Sequence, residues 1–237
     1  MPLSEPLRVR FWGDLACFTR PELKVERVSY AVMTPSAARG ALEAVLWKPE
    51  FRWIIDRIVV LRPIKFSAFR RNEVQVKAPT GSIDSWIRAG RDPLDFQPLF
   101  ADSRGQGGIA TQRNTLALKD VAYEITARVF VSDRAAAGGA TTIKYVEMFN
   151  RRVERGQCWH RPYLGCREFA AEFGPPERGE RPQAGTMDLG LMLYDIAFSP
   201  GGNVPVFFHA RMEDGVIATD PAAVLPDVQT RVRLGLC

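Results

Sequence analysis

The chain has 237 residues, 46% of them hydrophobic, which is enough to bury a core as one large domain or two small ones, and its net charge of +5 is only mildly basic. No run approaches about eighteen uninterrupted apolar residues, and the start MPLSEPLRVR carries neither the apolar stretch nor the small-residue cleavage site of a secretory leader. The expectation is a cytoplasmic protein with no membrane association. Two histidines, His160 and His209, and four scattered cysteines exclude chemistry that needs several imidazoles and exclude a disulfide framework.

Along the chain, Leu7, Val9 and Phe11 alternate with Arg8, Arg10 and Trp12, the period of a half-buried strand, so two arginines and a tryptophan share one face. Gly13-Asp14 breaks or bulges it. Thr19 to Tyr30 mixes both charge signs with a proline and reads as a loop leading into a short strand at Val28 to Val32. Thr34 as N-cap with Pro35 at the first helical position predicts a helix that Pro49 closes, with Ala38, Leu42, Val45 and Leu46 as its buried stripe. Trp47 and Lys48 then set an aromatic and a cation beside a chain reversal. Phe51 to Phe69 is one bent strand or two, with Pro63 marking an edge or a bulge. From Val74 to Thr111 the pattern gives way to polar and turn residues, which predicts a mobile insertion over residues 74–111 with a short helix near Trp86 and Ile87. Leu116 to Val131 returns to a strand or hairpin that Lys119-Asp120 would turn.

The stretch from Ile143 to Phe169 concentrates the chemistry. Ile143, Val146, Phe149 and Val153 recur at helical spacing between Thr141 or Thr142 as N-cap and Gly156 as stop. That leaves Lys144, Tyr145, Arg151, Arg152 and Arg155 on the other sides, with Glu147 one turn before Arg151 as a supporting ion pair. Such a helix can hold phosphates, and it equally reads as a solvated charged face. Cys158, His160 and Cys166 match no paired metal-ligand spacing, so no metal is expected. The segment GPPERGERPQAG, Gly174 to Gly185, reads as a boundary or an exposed excursion. Beyond it, Leu189 to Phe198 and Val204 to Met212 are two strands, Asp214-Gly215 turns into Val216-Ile217, and the tail from Thr219 is proline-rich and poorly patterned. The order predicts an α+β protein: a ferredoxin-like (RRM-like) domain over residues 1–170, then a small antiparallel β-rich domain over 171–237.

The cations are 26 Arg against 6 Lys. A guanidinium grips phosphate bidentately and stacks on bases, which biases an arginine-rich basic chain toward nucleic acid, although a G+C-rich genome explains the same excess. Neither a dinucleotide fingerprint nor a P-loop nor a nucleophile elbow is present.

Seven ordered runs carry a family likeness: FWGDLACF from Phe11, KVERVSY from Lys24, PSAARGALEAVLWKP from Pro35, RRNEV from Arg70, LKDVAY from Leu118, MFNRR from Met148 and PYLGCREF from Pro162. Together, from Leu7 to about Met212, the chain resembles the subtype I-C (Dvulg) branch of the fifth CRISPR-associated protein family, in the RAMP superfamily. The resemblance implies a metal-independent endoribonuclease that cuts precursor CRISPR RNA within its repeat and leaves a 2′,3′-cyclic phosphate. It further implies retention on the 5′ handle as a subunit of Cascade in antiviral defence, beside backbone subunits of the seventh family and the large subunit of the eighth, meeting target DNA only through that complex. No cofactor is implied. The alternative is a catalytically weak or inactive handle-binding subunit of the same complex.

In that family the proton-transfer groups are typically a tyrosine or histidine near the end of the first helix and a Lys-His pair at the start of the second. The matching positions here hold Leu46 and Lys144-Tyr145, so the lysine alone matches. With an ordinary pKa of about 10, a tyrosine is ionised in only about one molecule per thousand at neutral pH. The resemblance therefore implies slow cleavage carried by Lys144 and Tyr145, or by a further residue such as Tyr30. Arg39, Trp47, Lys48, Arg70, Arg71, Gln112, Arg113, Arg151, Arg152 and Arg167 are the candidates for gripping a folded RNA hairpin and its single-stranded flank, their types suiting phosphate, base-edge and stacking contacts.

Overall fold

The computed structural model describes residues 3–23, 25–74, 80–90, 110–199 and 202–236. Its spine is one long strand, β5 (Ala110–Val131). The first half of β5 pairs with β4 (Phe66–Val74) and, in parallel, with the two-residue β2 (Arg27–Val28). The second half lies between β1 (Leu7–Ala16) and β3 (Phe51–Val60). The turn expected at Lys119-Asp120 is absent as a chain reversal. Asp120 takes a φ of 52° while the strand runs on. Lys119 N–H donates to Lys65 O at 2.8 Å and Leu61 N–H to Ala122 O at 2.9 Å, so hydrogen bonding passes unbroken from β4 to β3 across that point.

A third neighbour, β6 (Glu172–Gly174), pairs with the outer side of β1, giving the order β6-β1-β5-β3. Helix α1 (Pro35–Val45) connects β1 to β3, and α4 (Thr142–Glu154) connects β5 to β6. This is the ferredoxin-like β-α-β-β-α-β arrangement, with the β4 excursion set into it. The alternating residues Val9, Phe11, Trp53, Ile55, Ile125, Val129 and Val131 are buried in the core. The intervening positions carry a polar ladder in which Arg128 pairs with Asp56 and Asp220, and Arg57 donates to Thr126. Beyond β3 the sheet continues through β9 (Val216–Ala218), β8 (Gly202–Glu213) and β7 (Met187–Ser199). Thus β6 lies just past the expected division at residues 170 and 171, and the C-terminal strands extend the same sheet.

Other differences have local causes. The strand expected over Val28 to Val32 shortens because Tyr30 N–H donates to Phe18 O at 2.8 Å and Ser29 Oγ accepts from Phe18 N, turning the chain toward β1. The segment from Gly174 to Gly185 is tethered rather than loose: Arg10, 4% exposed, reaches out of β1 to Glu177 and Glu180 and lies over the Trp12 ring at 4.4 Å. The tail contains two short helices, α5 (Pro221–Val224) and α6 (Val228–Arg233), capped by Asp220 and Asp227. Ser132 likewise caps the short α3 (Asp133–Ala137). Within the expected insertion, α2 (Thr80–Arg88) supplies the short helix, and residues 75–79 and 91–109 lie outside the described residues. Among the described residues no helix is long and apolar enough to cross a membrane.

Candidate active site

The C-terminal end of α1 meets the last turn of α4 and the segment that follows it. Thr34 accepts from Ala37 N–H at the start of α1, with Pro35 at the first helical position. The helix stops at Val45, ahead of Pro49, and Leu46 is already extended (φ −148°, ψ 116°). Its last carbonyls are satisfied from three distant segments: Ala44 O by the N–H groups of Trp159 (2.9 Å) and His160 (3.3 Å), Val45 O by the Arg152 guanidinium (2.6 Å), and Leu46 O by the Trp53 indole N–H (3.0 Å). Arg152 is therefore a strut between the two helices. Trp47, 57% exposed, and Lys48 emerge just beyond it.

Helix α4 is rotated relative to its sequence pattern. Ile143 is 68% exposed and Tyr145 only 2%, so Tyr145, Phe149 and Val153 form the buried row at i, i+4 and i+8. The assignment of Tyr145 to the polar side is corrected. The cause is aromatic packing offered by β3: Phe51 lies 4.7 Å from the Tyr145 ring and Trp53 lies 4.7 Å from Phe149. Burial, together with the nearby Glu50 carboxylate, pushes the Tyr145 pKa above its ordinary value. Tyr145 is therefore held in its neutral phenol form at neutral pH. Lys144, whose N–H is capped by Thr141, is exposed with its ammonium 5.6 Å from the Tyr145 ring centroid. Leu46 is buried, its carbonyl on the Trp53 indole N–H. One Glu50 carboxylate oxygen, Oε2, is buried without a hydrogen-bond partner.

Tyr30 is placed elsewhere. Its hydroxyl accepts from Leu193 N–H at 3.3 Å, Arg20 lies over its ring at 5.1 Å, and burial raises its pKa. Arg39 is committed to Asp195 of β7 and to Glu43. Arg70 and Gln112 meet across β4 and β5 at 3.4 Å. Arg71 and Arg113 join Arg27, which the sequence reading missed, in a network around Glu73 and Glu168. Arg151 and Arg167 are exposed. Next to this network Cys166 approaches Cys17 O (3.5 Å) and Thr19 (3.7 Å). Hydrogen bonds from Cys17 and Thr19, with Arg27 nearby, lower its thiol pKa to about 6.

The sequence profile of the family described as CRISPR-associated protein (Cas_Cas5) matches residues 6–220. The chain belongs to the Cas5 family, in its subtype I-C branch. It is 42% identical over 226 residues to the CRISPR pre-crRNA endoribonuclease Cas5d of Mannheimia succiniciproducens, covering 92% of this chain and 96% of that one. It is 44% identical over 228 residues to the protein of the same name from Thermus thermophilus, covering 88% and 89%. A crystal structure of a CRISPR-associated protein shares the fold with a TM-score of 0.64 at 21% identity, over 92% of this chain and 93% of that one. The functionally uncharacterized protein SMU1763c from Streptococcus mutans does so with a TM-score of 0.64 at 19% identity, over 94% and 96%.

Set in this Cas5 chain, the site offers an exposed ammonium, Lys144, on the rim of an aromatic floor. Three residues after α4 were not among the candidates read from the sequence: Trp159, 80% exposed, and its neighbours His160 and Arg161, with the Trp159 and His160 N–H groups on Ala44 O at the end of α1. The run WHRP was legible, but Cys158 and His160 had been weighed only as metal ligands. A tryptophan two residues from an arginine was the signal available.

Proposed function

We propose that this chain cuts precursor CRISPR RNA within its repeat and remains on the 5′ handle as a subunit of Cascade. The observation that carries the reading is 42–44% identity along almost the whole chain to two CRISPR pre-crRNA endoribonucleases. In the reaction the 2′-hydroxyl gives its proton to solvent water and attacks the adjacent phosphorus, the P–O5′ bond breaks, and the 5′-oxygen takes up a proton, leaving a 2′,3′-cyclic phosphate. In this reading Lys144, whose exposed ammonium lies 5.6 Å from the Tyr145 ring centroid, neutralises the crowded phosphorane and gives up a proton to the leaving oxygen. Tyr145, held in its neutral form, orients that ammonium through its ring. A metal ion has no part in this mechanism.

A second reading is a handle-binding subunit that cuts weakly or not at all. It is favoured by Leu46, which cannot transfer a proton, and by the burial of Tyr145. A labelled repeat hairpin incubated with purified protein in EDTA separates the two. Cleavage with a cyclic phosphate end supports the nuclease, a salt-sensitive shift without cutting supports the binding subunit, and the absence of both at low salt overturns both readings.

A further inference from the structure

Cys17, directly after β1, and Cys166, in the loop that follows α4, take no part in the chemistry above, yet the fold sets them against each other. The loop is tight at this point. Leu164 N–H donates to Phe169 O at 2.8 Å and Phe169 N–H to Cys166 O at 2.9 Å, which puts Cys166 on a turn. That turn is pressed onto the end of β1. Cys17 N–H donates to Leu164 O at 3.0 Å, and Gly165, with a φ of 85°, comes so near that a Cβ on it would stand 2.1 Å from Cys17 O. Only glycine combines the left-handed backbone with the missing side chain that this approach requires.

The surroundings make the two sulfurs unequal. Cys166 Sγ lies 3.5 Å from Cys17 O, 3.7 Å from Thr19 Oγ1 and 3.8 Å from the Arg27 guanidinium, and the Cys17 thiol donates to it. These donors favour its thiolate, against the opposing charge of Glu168, which sits 2.7 Å from the same guanidinium. Cys17 Sγ lies 3.5 Å from the same Thr19 hydroxyl and is fully buried, so its bond to Cys166 and its burial keep it protonated. Cys166 is only half-buried, and a cavity of about 280 Å³ reaches Thr19 and Gly165 beside the pair, with room for a small solute. An accessible thiolate touching a second, protonated thiol is the arrangement of a redox-responsive pair.

We infer that Cys166 and Cys17 form a reversible disulfide when the protein meets a peroxide. Cys166 Sγ, as the thiolate, attacks one peroxide oxygen, the O–O bond breaks, and the other oxygen leaves as hydroxide, so that Cys166 becomes a sulfenic acid. Cys17 Sγ then attacks Cys166 Sγ, the S–O bond breaks, and the Cys17 proton leaves with the hydroxyl group as water. In sum, two thiols give up two electrons and two protons, and one peroxide becomes two waters. The new bond fastens the turn to β1 and withdraws the sulfur from Arg27, leaving that guanidinium to Glu73 and Glu168. A dithiol reverses it. The inference stands apart from the reading of this chain as a nuclease, because neither sulfur is used in cleavage.

The test is peptide mapping by mass spectrometry on the full folded chain, exposed briefly to hydrogen peroxide, blocked with N-ethylmaleimide in denaturant and digested without reductant. A linked pair of peptides carrying Cys17 and Cys166 should appear before Cys158, the exposed thiol of the same chain, is oxidised, and dithiothreitol should abolish it. Peroxide added in guanidinium chloride, where the fold is lost, should link these two cysteines no more readily than any other pair. In Cys17→Ala, which lacks the second thiol, dimedone should trap a sulfenic acid on Cys166 about fivefold or more above the level in the unmodified protein. Should Cys17→Ala fail to fold, the map of the unmodified protein decides the matter alone. Cys166 driven to sulfinic acid with no linked peptide, Cys158 oxidised ahead of Cys166, or the same pairing preference in guanidinium chloride each overturns the inference.

Discussion

The two ends of α1 differ in what they leave open. At its C-terminal end the last carbonyls are consumed by Trp53, Arg152, Trp159 and His160, and the side chain of Leu46 is buried under them. Along its N-terminal half, Ser36, Ala37 and Gly40 face a cavity with no side chain filling it. The first end is closed by these bonds and carries the exposed Trp47, Lys48 and Trp159 at its margin, whereas the second presents an open cavity face.

Core truncation at the closed end should have the largest effect. Phe149→Ala removes a fully buried ring from beneath it and should cost about 3–5 kcal/mol, read from the denaturant midpoint. Arg152→Met keeps the aliphatic stem but leaves Val45 O without its donor, and should cost about 1–3 kcal/mol. Gly40→Ala should run the other way and stabilise by about 0.5–1 kcal/mol, because the open side of α1 has room for a methyl group. A destabilising Gly40→Ala would remove the contrast between the ends.

Smaller effects sharpen the same comparison. The Tyr145 hydroxyl makes no hydrogen bond among the described residues, so Tyr145→Phe should change stability by less than about 1 kcal/mol. Because the folded Tyr145 pKa lies above its ordinary value, the rate of any cleavage should show no rise near neutral pH that depends on this hydroxyl. Comparing the pH profiles of the unmodified protein and Tyr145→Phe checks this. At Cys166 the direction is opposite. Its thiolate should predominate above pH about 6, so its alkylation by iodoacetamide should rise through that pH, and Cys17→Ala, which removes the donor, should shift the rise upward.

Most of the ferredoxin-like frame was legible because its signals are local. Thr34-Pro35, Thr141 and Gly156 mark helix ends through their own backbone and side-chain chemistry, and the alternation in Leu7 to Phe11 needs no partner to be read. What escaped depends on residues far away in the chain. The rotation of α4 that buries Tyr145 is set by Phe51 and Trp53 on β3, because tyrosine fits either an apolar or a polar face until its neighbours are known. The engagement of Arg39 by Asp195 spans 156 residues, and that of Arg152 by Val45 spans 107, so neither arginine could be told from a phosphate ligand by spacing. The short α5 and α6 were missed although Asp220-Pro221 and Asp227 are ordinary caps, since proline content masked them.

The account stands most directly on Lys144. Single-turnover cleavage of a repeat hairpin in EDTA, measured beside the affinity for the same RNA, should show Lys144→Ala slower by about 10²–10⁴-fold with binding changed by no more than a few fold. Cutting by Lys144→Ala at the rate of the unmodified protein would contradict it.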